Sequence, residues 1–273
     1  MTSQKLRVAA VQLNSQEDVD QNLRAIRDVV AGAAAAGARL VVLPENFAYF
    51  GADVGRRSVA ERSGDLRAPI QATLSELARE QRVAIIAGGF PELGPDAQRP
   101  YNTCLVFAAT GELVTHYRKV HLFDVQLPDG TELCESRDTE PGSEPVVADV
   151  AEFRVGLSIC YDLRFPELYR ALVSRGAEVL VVPAAFTLLT GKDHWHALLR
   201  ARAIESQSYV IAAAQWGKHP RGRTTYGHAL VVDPWGTIIA ECSDRVGFVT
   251  AEIDRAYLEE VRTRLPSLKH RRL

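Results

Sequence analysis

The chain has 273 residues, 34 acidic and 32 Lys or Arg side chains for a net charge of −2, and 47% hydrophobic residues. The length suits one large domain or two small ones with a sizeable core, and the near-neutral charge removes the electrostatic case for nucleic acid or an anionic membrane surface. Four cysteines without a CxxC pair, no signal-peptide pattern and no apolar window long enough to span a bilayer lead to the expectation of a soluble, cytoplasmic protein.

Short apolar runs recur along the chain. "LRVAAVQL" (6–13), "RLVVLP" (39–44), "VAIIAGGF" (83–90) and "TCLVFAA" (103–109) occupy the first half, and "FRVGLSIC" (153–160), "AEVLVVPAA" (177–185), "YVIAAAQW" (209–216) and "HALVVD" (228–233) the second. Such near-continuous runs suit strands covered on both faces. Helical patterns alternate with them at 18–38, 66–81, 165–176 and 193–206, which makes the fold α/β. A Gly-bearing turn at 110–111 and "DPWG" at 233–236 each read as the bend of a hairpin, so the sheets are expected to be mixed. The domain reading is one body over 1–254 and a tail over 255–273 that docks on the body or on a partner.

Cys160 ends the run "FRVGLSIC", and Pro166 suits the first turn of a following helix. A strand-to-helix corner would put the sulfur near backbone N–H groups and a helix dipole, which favours the thiolate. The alternative is that Cys160 simply packs, as free cysteines commonly do, and packing is the default for Cys104 inside a strand, Cys134 in a loop and Cys242 after a hairpin. The histidines supply no base: His194 and His196, two apart on a helix, face different ways, and the others are scattered. No HExxH, GxSxG or Walker loop occurs, and "GGF" at 88–90 is too short for a nucleotide fingerprint. Glu45, directly after "LVVLP", is a carboxylate at a strand end, where desolvation raises a carboxylate pKa toward that of a useful base. Lys119 ends "VTHYRK"; by itself it reads equally as surface ammonium, and Glu135 sits in a loop without an evident role.

The blocks "LVVLPENF", "YRKVHLFDV" and "GLSICYDLRFPELYR" resemble the three signature blocks of the nitrilase, or carbon–nitrogen hydrolase, superfamily, and the match runs over about 5–270. The resemblance implies an αββα sandwich of two mixed sheets flanked by helices, no metal and no organic cofactor, and assembly as a homodimer or higher homo-oligomer. It implies a catalytic Glu45, Lys119 and Cys160, with Glu135 as a second glutamate holding the lysine. The later blocks, "TGKDHWHALLRARAIES" and "YGHALVVDPWGTIIAEC", look most like those of superfamily members that hydrolyse deaminated glutathione, with omega-amidases on α-ketoglutaramate the nearest competitor. On that reading Tyr161 lends its backbone N–H to the oxyanion and Arg164 grips a substrate carboxylate, unless it pairs internally with Asp162 or Glu167. Phe186 and Thr187 line the pocket wall. The partner is then a small carboxylated amide, with no nucleic acid and no membrane. A rival of another class is a catalytically silent interaction protein that keeps the same residues.

Overall fold

A computed structural model describes residues 4–126, 130 and 132–272; Leu273 of the expected tail lies outside them. The first half of the chain alternates strand and helix: β1 (Lys5–Leu13), α1 (Val19–Ala35), β2 (Leu40–Leu43), α2 (Asp53–Ser58), α3 (Pro69–Gln81) and β3 (Ala84–Glu92), then the hairpin β4 (Tyr101–Phe107) and β5 (Leu113–Arg118). Helix α1 begins where Asp18 accepts a hydrogen bond from the Gln21 N–H at 2.9 Å, and α3 begins on Pro69, which has no N–H to leave unpaired. In β2 every side chain is apolar, yet alternate ones serve different layers. Leu40 and Val42 point between the two sheets, while Val41 and Leu43 meet Leu23, Ile26 and Val30 of α1 and Leu74 and Leu77 of α3. Burial of each such side chain stabilises the fold by about 1.5–3 kcal/mol before chain entropy is counted.

The second half begins with the ribbon β6 (Asp124–Gln126) and β7 (Glu132–Cys134). It continues through β8 (Val147–Val150), β9 (Phe153–Leu157), α4 (Pro166–Ser174), β10 (Val179–Val181), α5 (Leu188–Ser206), β11 (Tyr209–Ala212), β12 (Ala214–Lys218), β13 (Thr224–Tyr226), β14 (Leu230–Val232), β15 (Ile238–Glu241), β16 (Gly247–Asp254) and α6 (Arg255–Arg264). One sheet has the order β13-β12-β1-β2-β3-β4-β5, with β16 also pairing along β1; the other has β15-β14-β11-β10-β9-β8. Parallel central strands and antiparallel edges make both sheets mixed, as the hairpin turns predict. With helices outside and an apolar layer between the sheets, the architecture is the αββα sandwich.

Three elements differ from the sequence reading. "YVIAAAQW" is not one strand: it breaks at Ala213, so that β11 joins one sheet and β12 the other. An apolar run carries no mark of which sheet it belongs to, so the crossing is invisible in the pattern. Strand β16 has half-exposed side chains and no apolar run to announce it, and Cys134 closes a short strand rather than lying in a loop. Helix α6 buries Leu258 and Val261, and Arg255 pairs with Glu178 at 2.6 Å. Among the described residues no helix is long and apolar enough to cross a membrane.

Candidate active site

Glu45, Lys119, Glu135 and Cys160 come together in one cluster at strand ends, the first two buried and the other two half-buried. Glu45 lies two residues past β2 and is 4% exposed. Its Oε1 accepts from Lys119 Nζ at 3.0 Å and from Asn102 Nδ2 at 2.9 Å, and its Oε2 from the Ala185 N–H at 3.1 Å. The backbone there needs room. Asn46 takes a φ of 58°, its N–H donates to the Gly89 carbonyl at 2.9 Å, and a Cβ on Gly89 would sit 2.5 Å from Glu45 Cγ. A Cβ on Gly88 would fall 2.0 Å from Pro183 Cβ. The "GGF" segment is therefore what lets β3 pass between Glu45 and Pro183, whose carbonyl receives the Cys160 N–H, through a register shift after Ala87.

Lys119 follows β5 directly and is 2% exposed. Its ammonium bridges Glu45 and Glu135, the latter at 2.8 Å. Burial alone would lower its pKa, but the carboxylates of Glu135 and Glu45 outweigh it and hold the amine well above its ordinary range. Burial pushes the Glu135 pKa upward, yet Lys119, Asn102 and the Phe123 N–H, donating at 2.7 Å, bring it below the usual carboxylate range. Asn102 was not found in the sequence reading. Its Nδ2 joins Glu45 to Glu135, with 3.0 Å to the second carboxylate, and its carbonyl accepts the Lys119 N–H at 2.8 Å. No pattern in "YNTC" marks it; only the antiparallel β4–β5 pairing puts it beside Lys119.

Cys160 opens a short 3-10 turn, 160–164, between β9 and α4, with a φ of 46° and its N–H donating to the Pro183 carbonyl at 2.8 Å. The expected thiolate is not what this environment favours. Burial and the adjacent Glu45 carboxylate raise the thiol pKa well above its ordinary value, and Lys119 and the Ala185 N–H oppose them only in part. The helix end is local to the chain, whereas the carboxylate that reverses its effect is brought over from beyond β2.

The corner is anchored by Asp162, which is fully buried. Its carboxylate accepts from Tyr117 Oη at 2.7 Å, the Ile159 N–H at 2.8 Å and the His121 N–H at 3.1 Å, and its Oδ1 lies 2.7 Å from His121 Nδ1. These partners flank Lys119 on one side and Cys160 on the other, so one carboxylate ties the lysine strand to the cysteine turn. His121 also stacks on Phe165, ring centres 3.8 Å apart.

Arg164 pairs with neither Asp162 nor Glu167. Its Nη1 lies 3.2 Å from His194 Nδ1 and its guanidinium sits 5.1 Å over the Phe186 ring, with no carboxylate among the described residues at ion-pair distance. The Tyr161 ring packs edge-on to Phe123 and Phe165. Phe186 is buried against Trp195, and Thr187 precedes α5, its Oγ1 2.8 Å from Thr190 Oγ1.

Four layers in the order helix, sheet, sheet, helix, with a carboxylate, an ammonium and a thiol gathered where strand ends meet, are the plan of a nitrilase-like hydrolase. The carbon-nitrogen hydrolase family model matches residues 7–263, and the chain belongs to that family. A deaminated glutathione amidase of Synechocystis sp. is 45% identical over 96% of this chain and 97% of its own length. The crystal structure of the Caenorhabditis elegans NitFhit protein superposes with a TM-score of 0.92 at 40% identity, covering 100% of this chain and 66% of that longer one. Saccharomyces cerevisiae Nit3, a member of branch 10 of the nitrilase superfamily, gives 0.88 at 33% identity over 99% and 97% of the two chains.

Proposed function

We propose that this carbon–nitrogen hydrolase is an amidase that opens deaminated glutathione, a metabolite-repair reaction, through a cysteine thioester. The observation that carries the chemistry is the Glu45 carboxylate bonded to the Lys119 ammonium at 3.0 Å and set beside Cys160, whose thiol pKa burial and that carboxylate push up. The substrate comes from the names of relatives that align over nearly the whole chain.

In this reading Cys160 Sγ attacks the amide carbon while Glu45 takes the thiol proton, so nucleophile activation and attack are one step. The tetrahedral oxyanion faces Lys119 Nζ and the Tyr161 N–H, donors of a kind worth about 3–4 kcal/mol each. Glu45 returns the proton to the leaving amine, and the C–N bond breaks to give a thioester. Glu45 then draws a proton from water as the water oxygen attacks the thioester carbon; the C–S bond breaks, the free acid leaves, and Glu45 returns the proton to Cys160 Sγ. Glu135 and Asn102 hold Lys119 throughout. Arg164, which has no carboxylate at ion-pair distance among the described residues, receives a substrate carboxylate as a charge-assisted pair, with Phe186 and Thr187 on the wall. Leu188, Leu189 and Ile204 of α5 are 48%, 44% and 47% exposed, which supports a homodimer through that helix.

The deciding measurement is kcat/KM for deaminated glutathione against α-ketoglutaramate. A preference for deaminated glutathione is expected; a preference for α-ketoglutaramate makes the protein an omega-amidase with the same chemistry. Turnover of neither leaves the silent interaction protein as the reading.

A further inference from the structure

Three side chains that the proposed reaction does not use converge on the outer side of the second sheet. His196 lies on α5, His228 follows β13, and Glu241 ends β15. Their donor atoms, one from each, all lie within 4.8 Å of one another. Both imidazoles point at the same carboxylate oxygen: His196 Nε2 and His228 Nδ1 are each 2.7 Å from Glu241 Oε1. Two ring nitrogens and one carboxylate, with a side left open to solvent, form the His2Glu donor set that suits zinc and its neighbours in the first transition row.

The surroundings hold the set in place. His228 Nε2, the nitrogen facing away from Glu241, lies 3.3 Å from Asp244 Oδ1. A carboxylate on the far nitrogen of a histidine fixes its tautomer and leaves Nδ1 free to ligate, as outer-sphere partners of metal-bound histidines do. His228 itself takes a φ of 60° directly after Gly227 at 79°, where a Cβ would sit 2.6 Å from Trp216 Cδ1. The turn is thus held in a conformation that side-chain-bearing residues avoid. The Trp195 indole N–H donates to the His228 carbonyl at 2.8 Å, and the Tyr226 ring stacks on the imidazole at 4.4 Å.

We infer that His196, His228 and Glu241 form a binding site for a divalent first-row transition metal ion, with Asp244 orienting His228. The ion would sit between the two ring nitrogens and Glu241 Oε1. The nitrogen–oxygen contacts would then open by roughly half an ångström, to the ~3.3 Å that ~2.05 Å tetrahedral bonds require, and a water would complete the coordination. Because the ligands come from α5 and from the β13–β15 segment, the ion would clamp the helix that follows Phe186 and Thr187 to the sheet. His194, one residue short of a shared face, turns instead to Arg164 and takes no part.

Zinc binding is the test, followed by calorimetric titration in a Cys160→Ala background so that the active-site thiol cannot contribute. A single zinc ion per chain is expected, with a rise in thermal midpoint that grows with free zinc. His196→Ala and Glu241→Gln should each abolish it, Asp244→Asn should weaken it about 10–100-fold, and His194→Ala should leave it unchanged. A zinc-edge anomalous peak between His196 and His228 in crystals reads the site without any variant. Absence of zinc binding, binding untouched by His196→Ala and Glu241→Gln, or a peak elsewhere overturns the inference.

Discussion

The buried cluster around Lys119 and the rim around Arg164 handle positive charge in opposite ways. Inside, one ammonium is shared by two carboxylates at 3.0 and 2.8 Å, and Asn102 and backbone N–H groups complete the shell. At the rim, a guanidinium rests on an aromatic face beside a histidine, with no acid paired to it among the described residues. An ammonium compensated this fully is part of the framework and can act on charge only as charge develops in the reaction. A guanidinium left uncompensated is suited to a charge that arrives with the substrate. The contrast teaches that chemistry and selection are separable here.

The largest expected effect comes from removing the proposed nucleophile. Cys160→Ala should lower kcat by about 10⁴-fold or more, on the scale of losing a covalent nucleophile, while the thermal midpoint stays high near neutral pH. Near-normal turnover would end the thioester proposal. Lys119→Ala should lose about 10²–10³-fold in kcat for the missing oxyanion donor. It should also destabilise the fold by about 3–5 kcal/mol, because two carboxylates are left facing each other in the interior; denaturant unfolding reads that second cost. Arg164→Ala should instead raise KM about 10–100-fold for a carboxylated amide, with kcat and stability little changed. If kcat falls and KM does not, the rim is part of the chemical machinery and the comparison fails.

The smallest effect is in pH. Because Cys160 stays protonated in the fold above its ordinary value of ~8.5, the native state keeps a proton that the unfolded chain gives up. Stability must then fall as pH rises from ~8.5 toward the folded value. The thermal midpoint should drop more between pH 8 and 10 in the wild type than in Cys160→Ala. Equal drops would mean that the thiol is not held protonated. Glu135 acts on the other limb: with a lowered pKa it stabilises above its ordinary value, and that contribution is lost as pH falls through the folded one.

Glu45 was legible because an apolar run ends on it, and Cys160 because a helix-starting proline follows close behind. Lys119 was legible only through the resemblance of "YRKVHLFDV", since nothing else around it in the chain differs from a surface lysine; its partners are a glutamate after β2 and another beyond the hairpin. Asn102, Asp162 and Gly89 were missed for the same reason. Each acts through contacts made only when strands from distant parts of the chain lie side by side. The sign of the Cys160 shift was misread because local sequence reports the turn and not the carboxylate packed against it. The split of "YVIAAAQW" between sheets shows the same limit for the fold: hydrophobicity tells that a run is buried, not in which layer.

Asp162 has a consequence for how activity is lost on heating. Through Tyr117, His121 and Ile159 it fastens the strand bearing Lys119 to the turn bearing Cys160 with a fully buried carboxylate. Neither segment can then loosen by itself, because releasing either one would leave a buried carboxylate short of hydrogen-bond partners. Thermal inactivation should therefore coincide with the cooperative unfolding transition rather than precede it. In Asp162→Asn, inactivation should begin at a temperature where the bulk of the secondary structure is still intact.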